Sequence, residues 1–165
     1  MSTLRTERLV LRPLVPDDAD AVVEAVSDWE VARWVSSVPH PYERIDAATW
    51  IILSAPEGRW GIERDGALVG AITTGAQLGY WLRRDAWGQG VMTEAGRAVA
   101  AEWFADPAMD ALRSSYYVGN DGSRRVLEKL GFADDGPVRI ASLSLGRDVD
   151  GRAMTLTRAA WEATR

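Results

Sequence analysis

The segment Trp87-Gly88-Gln89-Gly90-Val91-Met92 is the feature of this sequence that most constrains its fold. It follows Tyr80-Trp81-Leu82, an apolar run typical of a strand, and it precedes apolar residues at helical spacing: Ala95, Ala98, Val99 and Trp103. Where a glycine-rich loop connects a strand to a helix, successive backbone N–H groups of the loop and the N-terminus of the helix can point at the same ligand. The sequence therefore predicts a site for a pyrophosphate or a similar anion.

Two common phosphate loops do not fit this segment. A dinucleotide-binding fingerprint requires a third glycine at the position of Thr93. A P-loop requires Gly-Lys followed by Ser or Thr, which the chain lacks. A short glycine pattern is weak evidence by itself, so an ordinary turn stays open at this point.

The remaining elements alternate irregularly between strand and helix. We predict strands at 7–14, 60–64, 67–72, 77–82, 111–118, 138–145 and 153–157, and helices from Pro16, at 46–53, from Gly90 to about 106 and at 121–130. Asp65-Gly66 predicts a tight primed turn, and Gly131 predicts a left-handed helix stop. This order favours one α+β domain over residues 1–165, with a mixed, mostly antiparallel central sheet of about six to seven strands flanked by helices.

Composition excludes several classes of chemistry. The 165 residues contain no cysteine and a single histidine, His40, so thiolate chemistry and a multi-histidine metal site are excluded, and we expect no metal. The net charge of -5 disfavours nucleic acid as a partner. We expect a cytoplasmic protein without a membrane partner, because there is no run of roughly 18 apolar residues and charged residues interrupt the N-terminus.

Several motifs in one order resemble a known family. They are Thr6 to Leu14, Pro39-His40-Pro41-Tyr42, Leu78 to Leu82, Trp87 to Ala95, Asn120 to Phe132, and Leu156 to Trp161. Together they cover nearly the whole chain and resemble the GNAT superfamily of N-acetyltransferases, within it the RimJ/RimL-like branch that acetylates the N-termini of ribosomal proteins. The resemblance implies a GNAT fold and acetyl-CoA as the co-substrate.

The resemblance also implies a set of cofactor-binding residues. The strand residues would pair with the pantetheine, the loop amides would hold the pyrophosphate, and Asn120 would contact the pantetheine. The implied set is Trp81, Leu82, Arg83, Trp87, Gly88, Gln89, Gly90, Val91, Met92, Thr93, Asn120, Ser123 and Arg124.

Catalytic roles are less constrained. By resemblance, Ser123 would protonate the departing thiolate, an arrangement favoured by Leu127 where many members carry tyrosine. The alternative for Ser123 is a local hydrogen bond within its helix. Glu63, Glu94 and His40 are alternatives for the general base; Glu94 is equally explained as an acid near a helix N-terminus, and Glu63 as a solvated strand residue.

The acceptor would be a primary amine, on a protein N-terminus or a small molecule. Its pocket is predicted to include Trp34, His40 and Tyr80. The tryptophans at 29, 50 and 60 could line the same pocket or pack in the core. Gln77 stands where relatives often carry glutamate. That departure keeps open a non-catalytic acyl-CoA sensor; a longer donor such as succinyl-CoA and a homodimer also stay open.

Overall fold

The computed structural model describes residues 2–53 and 58–164. The strands are β1 (Leu4–Arg5), β2 (Val10–Arg12), β3 (Arg59–Arg64), β4 (Ala67–Thr73), β5 (Gly79–Leu82), β6 (Ala111–Tyr117), β7 (Ala133–Ser142) and β8 (Arg147–Thr157). The α-helices are α1 (Ala19–Ser27), α2 (Trp29–Ala32), α3 (Arg44–Leu53), α4 (Val91–Ala105), α5 (Asp121–Leu130) and α6 (Arg158–Ala163). Short 3-10 helices span Pro16–Asp18 and Arg84–Ala86.

Five strands form an antiparallel sheet in the order β1-β2-β3-β4-β5. The turn between β3 and β4 has positive φ at both central residues, 53° at Asp65 and 78° at Gly66, which confirms the predicted primed turn. Arg64 pairs directly with Ala67 across it. This hairpin fixes the register of the middle of the sheet.

Three strands form a second antiparallel sheet in the order β6-β8-β7. The sheets meet at a parallel bridge between Leu78 and Ser114. The Leu78 amide donates to the carbonyl of Arg113 at 2.7 Å, and the Ser114 hydroxyl donates to the Leu78 carbonyl at 2.8 Å. Beyond this bridge β5 pairs only with β4 among the described residues, so its other edge is open.

The predicted α+β, mostly antiparallel organisation is confirmed, but details differ: β7 covers Ala133–Ser142 rather than 138–145, and β8 begins at Arg147 rather than at Ala153. The described residues form eight strands in two sheets rather than one central sheet of six to seven. The added strand is β1, whose two residues carry no sequence pattern of their own and are ordered by pairing with β2. The division into sheets comes from the single bridge at Leu78, a tertiary contact that periodicity does not report.

Helices cover both faces of the first sheet. On one face α4, α5 and α6 pack against strand residues such as Leu11, Ile62 and Ile72. On the other face α1, α2 and α3 pack against Leu68 and Ala71. Among the described residues no helix combines the length and the apolar character needed to cross a membrane.

Candidate active site

A cleft of about 980 Å³ opens where the two sheets part. Its lining comes from β5, from the first turns of α4 and α5, from β6, from α3 and from the segment that precedes α3. Twelve of the residues predicted from the sequence line it: Trp34, Tyr80, Trp81, Leu82, Trp87, Gly88, Gly90, Val91, Met92, Thr93, Asn120 and Ser123. Six do not: His40, Glu63, Arg83, Gln89, Glu94 and Arg124.

The glycine loop lies at one end of the cleft. Gly88 and Gly90 adopt φ values of 71° and 75°, and Gly90 caps the N-terminus of α4. A Cβ at Gly88 would meet no atom within 4 Å. No oxygen of the described residues accepts from the backbone amides of residues 88–93. The loop therefore presents a run of free N–H groups, together with the helix N-terminus, to the cleft.

Side-chain hydrogen bonds outside the cleft lining stabilise the glycine loop. The Gln89 side chain accepts a hydrogen bond from Arg64 at 2.8 Å and donates to the carbonyl of Asp85 at 2.7 Å. Arg83 forms two hydrogen bonds with Asp85, at 2.8 and 2.6 Å. The side chains of Gln89 and Arg83 thus support the loop, and only their backbone remains for the predicted cofactor contact.

A pair of hydroxyl groups lies at the centre of the cleft. The Tyr80 and Ser123 hydroxyl oxygens are 2.9 Å apart, and either can donate. The Asn120 side chain caps α5 by accepting from the Ser123 amide at 3.1 Å. Burial raises the pKa of Tyr80 to about 12, against a smaller lowering by the Ser123 hydrogen bond. The Tyr80 phenol is therefore protonated at neutral pH, and the Ser123 hydroxyl contacts Tyr80 rather than a carbonyl of its own helix.

Glu63 lies on β3 in an ion cluster away from the cleft. It accepts from the Arg12 Nε at 2.8 Å, while the two terminal nitrogens of Arg12 each donate to Asp18 at 2.9 Å. Glu63 lies on strand β3 with its side chain 26% exposed, and its carboxylate is paired with Arg12. Its placement gives no support to a role as general base.

Glu94 is also engaged away from the cleft. It accepts from the Thr6 hydroxyl at 2.5 Å and from the backbone and side-chain nitrogens of Arg8 at 3.0 and 2.7 Å. Partial burial alone would raise the pKa of Glu94, but these hydrogen bonds outweigh burial and lower it. A carboxylate with a lowered pKa is a weak base, so Glu94 is better placed to support the structure than to accept a proton.

The predicted acceptor residues are divided by the structure. Trp34 lines the cleft, with its ring centroid 6.4 Å from that of Tyr117. His40 is exposed, lies outside the lining and contacts the Trp29 ring at 4.9 Å. Trp60 is buried in the core, where its indole N–H donates to the carbonyl of Ser2. Of the four tryptophans considered for the pocket, Trp34 and Trp50 line the cleft, and Trp29 and Trp60 do not.

The sequence interpretation missed several residues of the acceptor arm. Tyr42, Asp46 and Arg59 line this part of the cleft beside Trp50, which the sequence offers as an alternative between pocket and core. The Arg59 guanidinium lies 4.2 Å from the Trp50 ring centroid, and burial raises the pKa of Tyr42 to about 12. Asp46 and Trp50 lie one turn apart in α3, so the helical spacing of a carboxylate and an indole was the available signal.

Two further parts of the cleft concern Gln77 and the basic residues of α5. Gln77 is exposed at the cleft and accepts from the Ser115 hydroxyl at 3.3 Å, so an amide occupies the place of the frequent carboxylate. Arg124 is paired with Asp121 and Glu128 outside the lining. Its neighbours Arg125 and Lys129 line the cleft instead.

Comparison with known proteins agrees with this architecture. The sequence model of the family described as Acetyltransferase (GNAT) domain matches residues 8–133. The uncharacterized N-acetyltransferase YoaA of Bacillus subtilis (strain 168) is 25% identical over 170 residues, covering 94% of this chain and 96% of YoaA.

Two solved structures share the fold. RimL, the ribosomal L7/L12 alpha-N-protein acetyltransferase in complex with coenzyme A, has a TM-score of 0.82 at 17% identity, covering 96% of this chain and 99% of its own. The microcin C7 self immunity acetyltransferase MccE, in complex with acetyl-CoA and AMP, has a TM-score of 0.80 at 15% identity, covering 92% and 93%.

The family match, together with a glycine loop at a helix N-terminus, identifies the protein as an acetyltransferase. The chain belongs to the GNAT family of acetyltransferases, whose sequence model spans most of it.

Proposed function

We propose that this chain transfers an acetyl group from acetyl-CoA to a primary amine by direct attack in a ternary complex. The observation that carries the proposal is the position of two features in one cleft: the free amides of residues 88 and 90–93, and the hydroxyl pair of Ser123 and Tyr80. The first suits the pyrophosphate of a CoA thioester, and the second suits its sulfur.

The cleft fits CoA in shape and in polarity. The open space beside Gly88 allows a phosphate to approach the backbone closely, and a cleft of about 980 Å³ is large enough for an extended ligand. The free edge of β5 offers Trp81 and Leu82 to the pantetheine amides, as the resemblance implies. Arg125 and Lys129 add positive charge to the same wall.

Acetyl-CoA supplies a thioester that a neutral amine can attack, and the reaction forms a C–N bond and breaks the C–S bond. In the proposed arrangement Tyr80 donates to the Ser123 oxygen, which leaves the Ser123 proton directed at the departing sulfur. Ser123 then protonates the thiolate as general acid, and the proton that the attacking nitrogen loses restores the Ser123 hydroxyl, so the enzyme ends the turnover unchanged. Because the pKa of Tyr80 is about 12, its supporting hydrogen bond persists at neutral and mildly alkaline pH.

The acceptor enters between α3 and the segment that contains Trp34. This arm is lined by aromatic and apolar side chains, which can hold the carbon skeleton of an amine. An α-amine has an ordinary pKa of about 7.7 to 8.0, so roughly half is already neutral near pH 8. Binding that aligns this neutral fraction with the thioester can supply much of the acceleration.

The test is turnover with acetyl-CoA and a panel of amines near pH 8. The panel contains peptides with free N-termini, the same peptides blocked at the N-terminus, polyamines and aminocyclitols, and succinyl-CoA serves as a second donor. The proposal predicts thiol release that depends on a free amine and a mass increase of one acetyl group in that amine. Tight acetyl-CoA binding without transfer to any amine would favour the non-catalytic sensor, and turnover only with succinyl-CoA would replace the donor.

A further inference from the structure

Arg8 connects two parts of the phosphate loop from outside the cleft. It lies in the turn between β1 and β2, and its Nε and Nη2 bind the Glu94 carboxylate, each at 2.7 Å. Its Nη1 donates to the backbone carbonyl of Gln89 at 3.1 Å. One planar guanidinium therefore joins the first turn of α4 to the loop that precedes it.

The contact with the Gln89 carbonyl fixes the direction of an amide. A trans peptide is planar, and its C=O and N–H groups point in opposite directions. Because Arg8 holds the Gln89 carbonyl from outside the cleft lining, the N–H of Gly90 in the same peptide faces the other way. Gly90 itself lines the cleft, so this N–H is one of the groups presented to an anion.

The Glu94 contacts hold Arg8 in that position. Glu94 also accepts from the Arg8 amide at 3.0 Å and from the Thr6 hydroxyl, so the β1–β2 turn and α4 are joined by backbone and side chain together. The Arg8 side chain is 44% exposed and that of Glu94 19% exposed. An ion pair this exposed contributes little to global stability, so its main consequence is geometric.

We propose that Arg8 is a positioning residue for the pyrophosphate loop, acting through the Gln89–Gly90 peptide. The proposal rests on the function proposed above, because it requires the loop to bind the pyrophosphate of CoA. Glu94 contributes to this positioning because its carboxylate holds the Arg8 guanidinium in place. This assigns to Glu94 a role in co-substrate affinity in place of proton transfer.

The experiment compares CoA with pantetheine, which lacks the pyrophosphate, as ligands of the wild type, Arg8→Gln and Arg5→Gln. Arg5 is the matched control, since it is exposed in the same N-terminal hairpin and its side chain makes no hydrogen bond or ion pair among the described residues. Both dissociation constants are measured by quenching of tryptophan fluorescence, and thermal unfolding reports folding. Arg8→Gln should weaken CoA binding about five- to tenfold, the loss of one charge-assisted hydrogen bond, and leave pantetheine affinity unchanged.

Each outcome decides the proposal. Folded Arg8→Gln protein with wild-type CoA affinity would overturn it, as would an equal loss of affinity for both ligands or an equal effect of Arg5→Gln. If Arg8→Gln does not fold, Arg8→Lys repeats the comparison, because lysine keeps the charge but cannot bridge Glu94 and Gln89 with a planar fork. Failure of the wild type to bind CoA would instead reject the proposed function, which makes the two failures distinguishable.

Discussion

The hydroxyl oxygens of Tyr80 and Ser123 lie 2.9 Å apart, and this contact joins β5 to the first turn of α5 across the cleft. It places a protonated phenol next to a serine hydroxyl in the lining of the cleft. Under the proposed function the pair assists departure of the thiolate, while the loop amides only bind. Substitutions in the pair and in the loop should therefore affect different kinetic constants.

Ser123→Ala should lower kcat about 100-fold, because general-acid assistance to the leaving thiolate is lost. The dissociation constant of acetyl-CoA should change little, since the loop amides are untouched. Single-turnover kinetics and calorimetric titration measure the two quantities separately. Ser27→Ala, at an exposed position at the end of α1, is the control. A Ser123→Ala enzyme with wild-type kcat would remove serine from the mechanism.

Tyr80→Phe should lower kcat about tenfold, because the Ser123 hydroxyl loses the neighbour that orients it. Since the raised pKa of Tyr80, about 12, keeps the phenol protonated, the ratio of wild-type to variant kcat should stay constant from about pH 7 to about pH 10. The measurement is the pH profile of kcat for both proteins. A ratio that falls towards one below pH 10 would show that the phenol ionises at its ordinary pKa.

Gly88→Ala should abolish measurable CoA binding at micromolar concentrations, because its Cβ would occupy the space through which a phosphate approaches the amides. Gly66→Ala is a closely matched control: its φ of 78° resembles the 71° of Gly88, and a Cβ at either position meets no atom within 4 Å. Both variants should lose about 1 to 2 kcal/mol of folding free energy through the left-handed conformation. Equal CoA affinity in the two variants would show that the loop does not bind the ligand.

Glu63→Gln should keep kcat within about twofold of the wild-type value, as most substitutions of surface residues do. The substitution removes only the ionic partner of Arg12. The carboxylate lies outside the cleft lining, so neither kcat nor its pH dependence should change. Steady-state rates at several pH values and the melting temperature test this together. A loss of kcat that is relieved at high pH would restore Glu63 as a base.

Stability should fall on the acid side because of Asp18. Partial burial raises its pKa, but hydrogen bonds from Arg12 and the Val15 amide outweigh burial, so the folded-state pKa is lowered. Its contribution is therefore complete above the unfolded pKa of about 3.9 and is lost as pH falls through the lower folded value. Asp18→Asn should lower the free energy of unfolding by about 2 to 3 kcal/mol near pH 7. It should also make the free energy of unfolding depend less on pH on the acid side. Urea unfolding from pH 7 to below pH 3 measures this, with exposed Asp17→Asn as control; a variant whose stability falls in parallel with the wild type would contradict it.

Much of the fold was predictable because its signals are local. Asp65-Gly66 specified the turn between β3 and β4, and Gly131 ends α5 with a φ of 97°, as its position predicted. The division of the strands into two sheets, joined by a single bridge, was not predictable. It depends on the bridge between Leu78 and Ser114, which are 36 residues apart. Periodicity describes which face of a strand is buried but not where pairing with the next strand stops.

The site divides in the same way. The glycine loop and Ser123 lie where the motifs predicted, because the strand, the loop and the helix N-terminus are contiguous in sequence. The proposed bases did not reach the cleft, because the direction of a carboxylate depends on distant cations: Arg12 for Glu63 and Arg8 for Glu94. The acceptor arm depends on how α3 packs, so the spacing of Asp46 and Trp50 indicates a shared helix face but not that this face lines the cleft.

Calorimetric titration with acetyl-CoA, for the wild type and for Gly90→Trp, tests the central claim most directly. Gly90 has a φ of 75°, and a Cβ there would lie 3.5 Å from the Arg8 Nη2, so an indole would displace Arg8 and distort the loop amides. We expect saturable binding by the wild type at one site and no detectable binding by the variant, which should remain folded. Absence of binding by the wild type, or equal binding by both proteins, would contradict the assignment of this loop as the acetyl-CoA site.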